Sequence, residues 1–360
     1  PASQRRPGRI RVGYFSGDFH DHPTLYLMAG LFREHDRSRF EIFAYSYGSV
    51  RSGRMRESVA NAIEHFVDIA DLPDRAAIDL VRGHELDIAI DLKGYTQLSR
   101  SRLFARRLAP LQMNYVGYPG TMSADFIDYI VADPVVIPDA ERAHYSEEII
   151  RLPNSYQPND NCQATAQDAG ARSDFGLPEH GFVFCCFNNN WKLAPRTFDV
   201  WMRLMHAVPG SVLWLSSMNQ NAMRNIRREA EARGIAGERV IFARRLDRLE
   251  DHLARHRLAD LFLDTLPYNA HTTTSDALRA GLPVVTCMGR GYAARVAASL
   301  LTAVGLPELI TTSLEDYERL ALDLAANPQR LAGLRSALAV SRDTGPLYDT
   351  ARFTRHLEAA

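Results

Sequence analysis

Short apolar runs alternate with helix-patterned segments along almost the whole chain. That alternation limits the available folds more than any single residue does. RIRVGYFS at 9–16 reads as a buried strand, and a helix follows from Pro23 to Arg33. FEIFAYSY, a helix from Met55 to His65, a helix from Arg75 to Gly83 and the strand LDIAIDL continue the series. MNYVGY, DYIVAD and EIIRLP add three short strands. Strands alternating with helices imply a parallel sheet covered on both faces.

The stretch NSYQPNDNCQATAQDAGARSD, from Asn154 to Asp174, is poor in apolar residues and reads as an interdomain linker. The alternation then resumes with FVFCCFN, a helix from Pro195 to Val208, SVLWLSS, a helix from Asn219 to Arg233 and RVIFAR. A helix from Leu249 to Ala259, LFLDT, PVVTC, a helix from Ala293 to Val304, ELITT and a helix from Leu314 to Ala325 complete it, and PLYDTARFTRHLEAA predicts a last helix. SLED at 313–316 resembles a capping box with Asp in place of Glu. The expected fold class is α/β, with two Rossmann-like domains facing across a cleft and a C-terminal helix. Ligands in such sheets sit at the carboxyl ends of the strands.

A length of 360 residues suits two such domains. A formal net charge of −1 favours neither nucleic acid nor an anionic membrane as partner. No run of about eighteen apolar residues occurs, and PASQRRPGRIRVG lacks the apolar centre of a signal peptide. The four cysteines, Cys162, Cys185, Cys186 and Cys287, have no metal-site spacing and point to a reduced, cytoplasmic protein. Lysine occurs only as Lys93 and Lys192 among 42 basic residues. Where arginine is so strongly favoured, a retained lysine can mark a need for a compact ammonium.

NAHTTTSDALRAG, from Asn269 to Gly281, places Thr272, Thr273 and Thr274 between the end of strand LFLDT and a helix. Free N–H groups and the positive end of the helix dipole meet there, which makes an anion site. An ordinary N-cap needs one threonine. Asp276, one turn in, can accept from a ribose hydroxyl. FNNNWKLAP puts Lys192 at the same sheet edge, where it can neutralise a diphosphate without metal. No GxxxxGK[ST], GxGxxG or Asp-x-Asp pattern is present. His252 and His256 can share a helix face, but no HExxH glutamate or third ligand accompanies them, so no metal is expected. In the first half His20 and His22 lie on the loop after strand one, where a histidine can hold or deprotonate a hydroxyl. KGYT and GYPGT place glycine at strand ends, where backbone can approach a ligand or simply turn.

Taken in order, RVGYFSGDFHDHPT, KGYTQLSRSRLFARRLAPLQMNYVGYPGT, FCCFNNNWKLAP and HLARHRLADLFLDTLPYNAHTTTSDALRAGLPVVT resemble the catalytic region of O-GlcNAc transferases, chiefly bacterial members. The resemblance covers most of the chain. It implies the GT-B architecture and an inverting, metal-independent transfer of GlcNAc from UDP-GlcNAc to Ser/Thr hydroxyls of intracellular proteins, with no cofactor. It implies residues 1–155 as the acceptor-side domain, 156–174 as linker, 175–345 as the UDP-sugar domain and 346–360 as a C-terminal helix.

Residue by residue, it implies that Lys192 contacts the diphosphate, that Thr272 and Thr273 bind phosphate, and that Asp276 holds the ribose. His252 lies near the uracil with Arg255 beside it. Tyr268 and His271 line the sugar pocket, Gly117 and Pro119 form a sugar-facing loop, and His22 stands as a candidate base. Asn189 replaces the usual glutamine, Tyr268 the usual cysteine, and Asp87 a second histidine, with His84 nearby but out of register. The expected partners are a UDP-sugar, a protein or peptide acceptor and an N-terminal tetratricopeptide region in a longer parent protein, of which this chain is expected to be a segment. Two alternatives share the features: a UDP-GlcNAc epimerase-like enzyme, and a UDP-sugar-binding module without turnover.

Overall fold

The computed structural model describes residues 8–360; the first seven residues of the expected N-terminal domain lie outside the described residues. The chain divides into two units, one running to Cys162 and joined by Pro346–Ala360, the other comprising Gln163–Gly345.

The first unit contains β1 (Ile10–Ser16), α1 (Pro23–Glu34), β2 (Phe40–Ser46), α2 (Arg54–Ala62), β3 (His65–Asp68), α3 (Asp74–Gly83), β4 (Ile88–Asp91), β5 (Leu111–Asn114), β6 (Tyr129–Ala132) and β7 (Glu148–Arg151). The strands order as β3-β2-β1-β4-β5-β6-β7, and each recorded pairing is parallel. The order reverses between β1 and β4, so the loops after those two strands flank the switch point. β1 is buried at five of its seven positions because both sheet faces are covered. Phe15 stacks on Tyr45 and meets Phe104 edge-on within the core. His65 belongs to the edge strand β3, not to a helix: α2 stops at Ala62, three residues earlier than the sequence predicts.

The second unit contains β8 (Val183–Cys186), α4 (Pro195–Ala207), β9 (Val212–Ser216), α5 (Gln220–Glu231), β10 (Val240–Ala243), α6 (Leu249–Arg255), β11 (Leu261–Leu263), α7 (Thr272–Arg279), β12 (Val284–Cys287), α8 (Val296–Ala303), β13 (Ile310–Thr311), α9 (Leu314–Ala326) and α10 (Pro328–Thr344). Its order, β10-β9-β8-β11-β12-β13, reverses between β8 and β11. Ser313 caps α9 by accepting the Asp316 N–H at 3.0 Å, as the SLED pattern predicts. α10 has no counterpart in the sequence reading. Asn327 caps it, Pro328 opens it, and Leu331, Leu334 and Leu338 form its buried stripe.

The last helix, α11 (Thr350–Ala359), packs on α1 within the first unit. Thr350 donates to the Asn159 carbonyl at 2.8 Å and accepts the Asn161 N–H at 2.9 Å. This clasp explains why residues 155–160, expected to begin a linker, are buried. Further along, the Ala166 N–H bonds the Glu250 carbonyl within the second unit at 3.1 Å.

Candidate functional site

In the second unit the loops after β8 and β11 bring most of the expected residues to the switch point. Asp264 follows β11 and is 2% exposed. It accepts from the Thr265 and Ala270 N–H groups at 2.7 and 2.6 Å and from Thr286 Oγ1 at 2.7 Å. Those bonds fold the loop back over the strand end. Burial lifts the Asp264 carboxyl to about 6, against the pull of those donors and of Lys192. Trp201 donates to Tyr317 Oη, which donates to the Asp264 carbonyl, so α4 and α9 brace the same strand end.

Lys192 ends a short turn after β8 and reaches across to the β11 loop, donating to the Asn269 carbonyl at 2.8 Å. Its ammonium lies 4.4 Å from the Tyr268 ring centre and 5.6 Å from that of Trp191. Tyr268 stacks on His271 at 4.8 Å. Burial pulls the Lys192 ammonium down to about 8, opposed by Asp264. The His271 Nε2–H donates to the Ala293 carbonyl at 3.2 Å, and burial first, then Lys192, pushes that imidazole down to about 3. The ring is therefore neutral near pH 7.

The three threonines divide their work. Thr274 is buried and bonds back to the Ala270 carbonyl, so its role is structural. Thr273 Oγ1 donates to Asn188 Oδ1 at 2.5 Å, and Asn188 Nδ2 donates to Thr265 Oγ1 at 2.8 Å. Thr272 opens α7, with His271 as an N-cap whose side chain makes no capping bond. The His271 carbonyl takes the Thr274 and Ser275 N–H groups. The N–H groups of Thr272 and Thr273 have no acceptor among the described residues. Two free donors, the helix dipole and an ammonium at the same strand ends make a strong anion site. Asp276, partly exposed one turn along, is pushed up to about 7 by burial and held back by Arg279.

Arg255 donates to His252 Nδ1 at 2.6 Å and lies over the Phe187 ring at 4.4 Å. Burial pulls His252 down to about 2 and Arg255 to about 10. His256 Nδ1 donates to the His252 carbonyl at 2.9 Å. Among the described residues no group of three or more His, Cys, Asp or Glu side chains is disposed to hold a metal ion. A cavity of about 310 Å³ opens beside Phe187, lined by Asn189, Asn190, Ser216, Ser217, Met218 and Asn219. A larger one, about 520 Å³, lies by β13, α9 and α10; its lining carries Glu308, Asp316 and Asp323 beside Arg319 and Arg330, and both arginines are already paired, with Asp316 and Asp323, so it suits a diphosphate poorly.

In the first unit His22 caps α1 and sits beside Asp18, which Lys93 grips at 2.9 and 3.1 Å. Gly117 has a packing reason for being glycine: a Cβ there would lie 1.9 Å from the Leu92 carbonyl oxygen. Pro119 is half-buried in the same loop. Asp87, in the place of a family histidine, accepts the Arg11 N–H at 2.8 Å, and His84 Nδ1 lies 2.7 Å from Tyr45 Oη. Both are committed to the sheet. Asn188, Asp264, Asn269, Asp18 and Lys93 escaped the sequence reading as site residues. Asn188, Asn269, Lys93 and Asp18 nevertheless lie inside FNNNWKLAP, NAHTTTSDALRAG, KGYT and the loop after strand one, the strand-end motifs already singled out.

The family model described as glycosyl transferase family 41 matches residues 2–167 and 163–357. A probable UDP-N-acetylglucosamine–peptide N-acetylglucosaminyltransferase, SEC, of Arabidopsis thaliana is 39% identical over 97% of this chain and 36% of its own length. A SPINDLY protein of Petunia hybrida, with the same probable activity in its name, is 32% identical over 98% of this chain and 38% of its own length. This chain thus spans little more than a third of those relatives. The structure of a mutant O-GlcNAc transferase from Thermobaculum terrenum superposes with a TM-score of 0.90 at 32% identity, covering 98% of this chain and 66% of that one. No helix among the described residues is long and apolar enough to cross a membrane. Two parallel Rossmann-like sheets of the GT-B class and a family match over nearly every residue lead to one assignment: the chain belongs to glycosyl transferase family 41.

Proposed function

We propose that this chain transfers N-acetylglucosamine from UDP-GlcNAc to Ser or Thr hydroxyls of intracellular proteins, with inversion and without a metal ion. The observation that carries the reading is the anion site at the second switch point: the Lys192 ammonium with the free N–H groups of Thr272 and Thr273. The names of the relatives supply the sugar and the acceptor class.

The acceptor hydroxyl attacks the anomeric carbon from the face opposite UDP and passes its proton to a phosphate oxygen of the donor or through water to solvent. The bond to the β-phosphate oxygen breaks, and UDP departs with the electron pair. Fixed donors aimed at that growing charge lower the barrier; each is worth about 10²–10³ in rate. Lys192, Thr272 and Thr273 take this part. Asp276 holds the ribose, His252 and Arg255 the uracil side, and Tyr268 and His271 the sugar. Asn189 borders the cavity beside Phe187 with a side chain one carbon shorter than the family glutamine. Pro119 and His22 serve from the first unit.

Product analysis with UDP-GlcNAc and a Ser/Thr peptide in EDTA tests the reading. Glycosylated peptide and one equivalent of UDP are expected. Release of a 2-epimeric sugar, or bound donor with no product, refutes it in favour of an epimerase or a binding module.

A further inference from the structure

The two lysines of this arginine-rich chain stand one at each switch point, and the anion site built around Lys192 leaves the role of Lys93 open. Lys93 follows β4, is 8% exposed and reaches back to the loop after β1. Its own position is fixed: its N–H and that of Gly94 bond Asp91 Oδ1 at 2.9 and 3.1 Å, and Asp91 is fully buried. The ammonium spans both carboxylate oxygens of Asp18, at 3.1 and 2.9 Å. On its other side Asp18 Oδ2 is 3.7 Å from His22 Nδ1.

That nitrogen has a second claimant. His22 Nδ1 accepts the Thr24 N–H at 3.2 Å as the N-cap of α1, and Thr24 Oγ1, whose hydroxyl can donate to the same nitrogen, also lies at 3.2 Å. A neutral imidazole that accepts at Nδ1 carries its proton at Nε2. Asp18 pulls the other way, because a bare carboxylate at that distance favours a proton on Nδ1, which would break the cap. Lys93 offsets that pull.

We propose that Lys93 is a positioning residue for His22: by occupying Asp18 it leaves His22 capping α1 through Nδ1 and presenting Nε2–H as a hydrogen-bond donor to bound substrate. His22 then orients an oxygen of the acceptor or sugar; it does not take the acceptor's proton. The substrate half of this inference rests on the transferase reading; the lysine–aspartate–histidine half does not.

The charged neighbours of His22 are Asp18 and His20 on its own loop and Lys93 across from it, with Asp91 behind Lys93. Burial lowers His22 first, Asp18 raises it, and His20 and Lys93 lower it. The two partners therefore act with opposite signs on the midpoint, and the ring tautomer separates a positioning role from mere proximity: with Lys93 removed, Asp18 should draw the proton to Nδ1.

The test is ¹⁵N-imidazole NMR on the whole protein, wild type against Lys93→Met and Asp18→Asn, with Lys93→Gln as a second variant that keeps a donor but no charge. The expected wild-type spectrum shows the Nε2–H tautomer. Lys93→Met and Lys93→Gln should move the His22 midpoint up, and Asp18→Asn should move it down, each by about one pH unit. An Nδ1–H tautomer in the wild type, an unchanged Nε2–H tautomer in Lys93→Met, or shifts of the same sign in both partners overturns the proposal. Kinetics give the second readout. Lys93→Met should lower kcat/KM for the acceptor about tenfold while leaving UDP affinity unchanged, and the acid limb of the pH profile should not follow His22. A limb that moves up with the His22 midpoint makes His22 the base and refutes the donor role. If the wild type transfers no sugar, the transferase reading fails while the NMR result still decides the triad.

Discussion

Lys192→Met should cost activity and add stability, and both magnitudes can be worked from the structure. The ammonium falls from 10.5 to about 8, chiefly through burial. At 1.36 kcal/mol per unit, keeping it charged at pH 7 costs the fold about 3 kcal/mol. Methionine removes that cost. It also leaves the buried Asn269 carbonyl without its donor, worth about 1 kcal/mol. The cation–π contact with Tyr268 is lost as well, worth about 0.5–1 kcal/mol. The balance is a gain of about 1 kcal/mol, or a rise in Tm of about 2–4 °C for a unit the size of Gln163–Gly345.

Transfer should fall by about 10²–10³, because the lost charge faces the departing diphosphate. Sugar transfer from radiolabelled donor and differential scanning calorimetry read the two effects on one preparation. The sign of the pH dependence follows. A lysine with a depressed folded value costs stability below about 8, and the cost fades as the unfolded chain also deprotonates toward 10.5. The Tm advantage of the variant should therefore shrink between pH 8 and 10. A variant within fivefold of the wild-type rate, or one that melts lower, refutes the claim that Lys192 is a charge held for function.

The same ammonium sets a second expectation: kcat/KM for the donor should drop about tenfold per pH unit above about 8, as measured in initial rates at low donor concentration. Thr273→Val strands Asn188 Oδ1 and loosens the loops at the strand ends, so UDP affinity should fall about fivefold to tenfold by calorimetry. Thr274→Val should instead lower stability by about 1 kcal/mol in urea titrations and leave UDP affinity unchanged, because its hydroxyl serves only the Ala270 carbonyl. Glu358→Ala removes the acceptor from buried His35 and the Asp36 N–H and loosens the end of α11; a loss of about 1–3 kcal/mol should appear in the melting transition of the first unit.

The fold class was legible because buried parallel strands read as apolar runs whatever their neighbours, as IRVGYFS and VFCC do. Elements decided by their surroundings were not. HFVD pairs at a sheet edge and is only half-buried, so its four residues carry little pattern. α10 hides its three leucines among alanines and arginines. The return of α11 to the first unit depends on Thr350 meeting residues 159 and 161, almost two hundred positions earlier, and no local pattern records that.

The site divides in the same way. Lys192, the threonines and Asp276 were visible because strand ends and helix starts are local signals. The sequence could not separate exposed Asn189 from buried Asn188, adjacent residues of one type, of which only Asn188 ties the two loops together. Lys93 and Asp18 lie 75 residues apart and meet only because β1 and β4 pair in the sheet.

The most direct measurement is calorimetric titration of the purified protein with UDP in EDTA, beside a Lys192→Met variant. The account predicts one site per chain, saturable without metal, and weaker in the variant. Absence of binding by the folded wild-type protein, or binding only when a divalent cation is supplied, contradicts it.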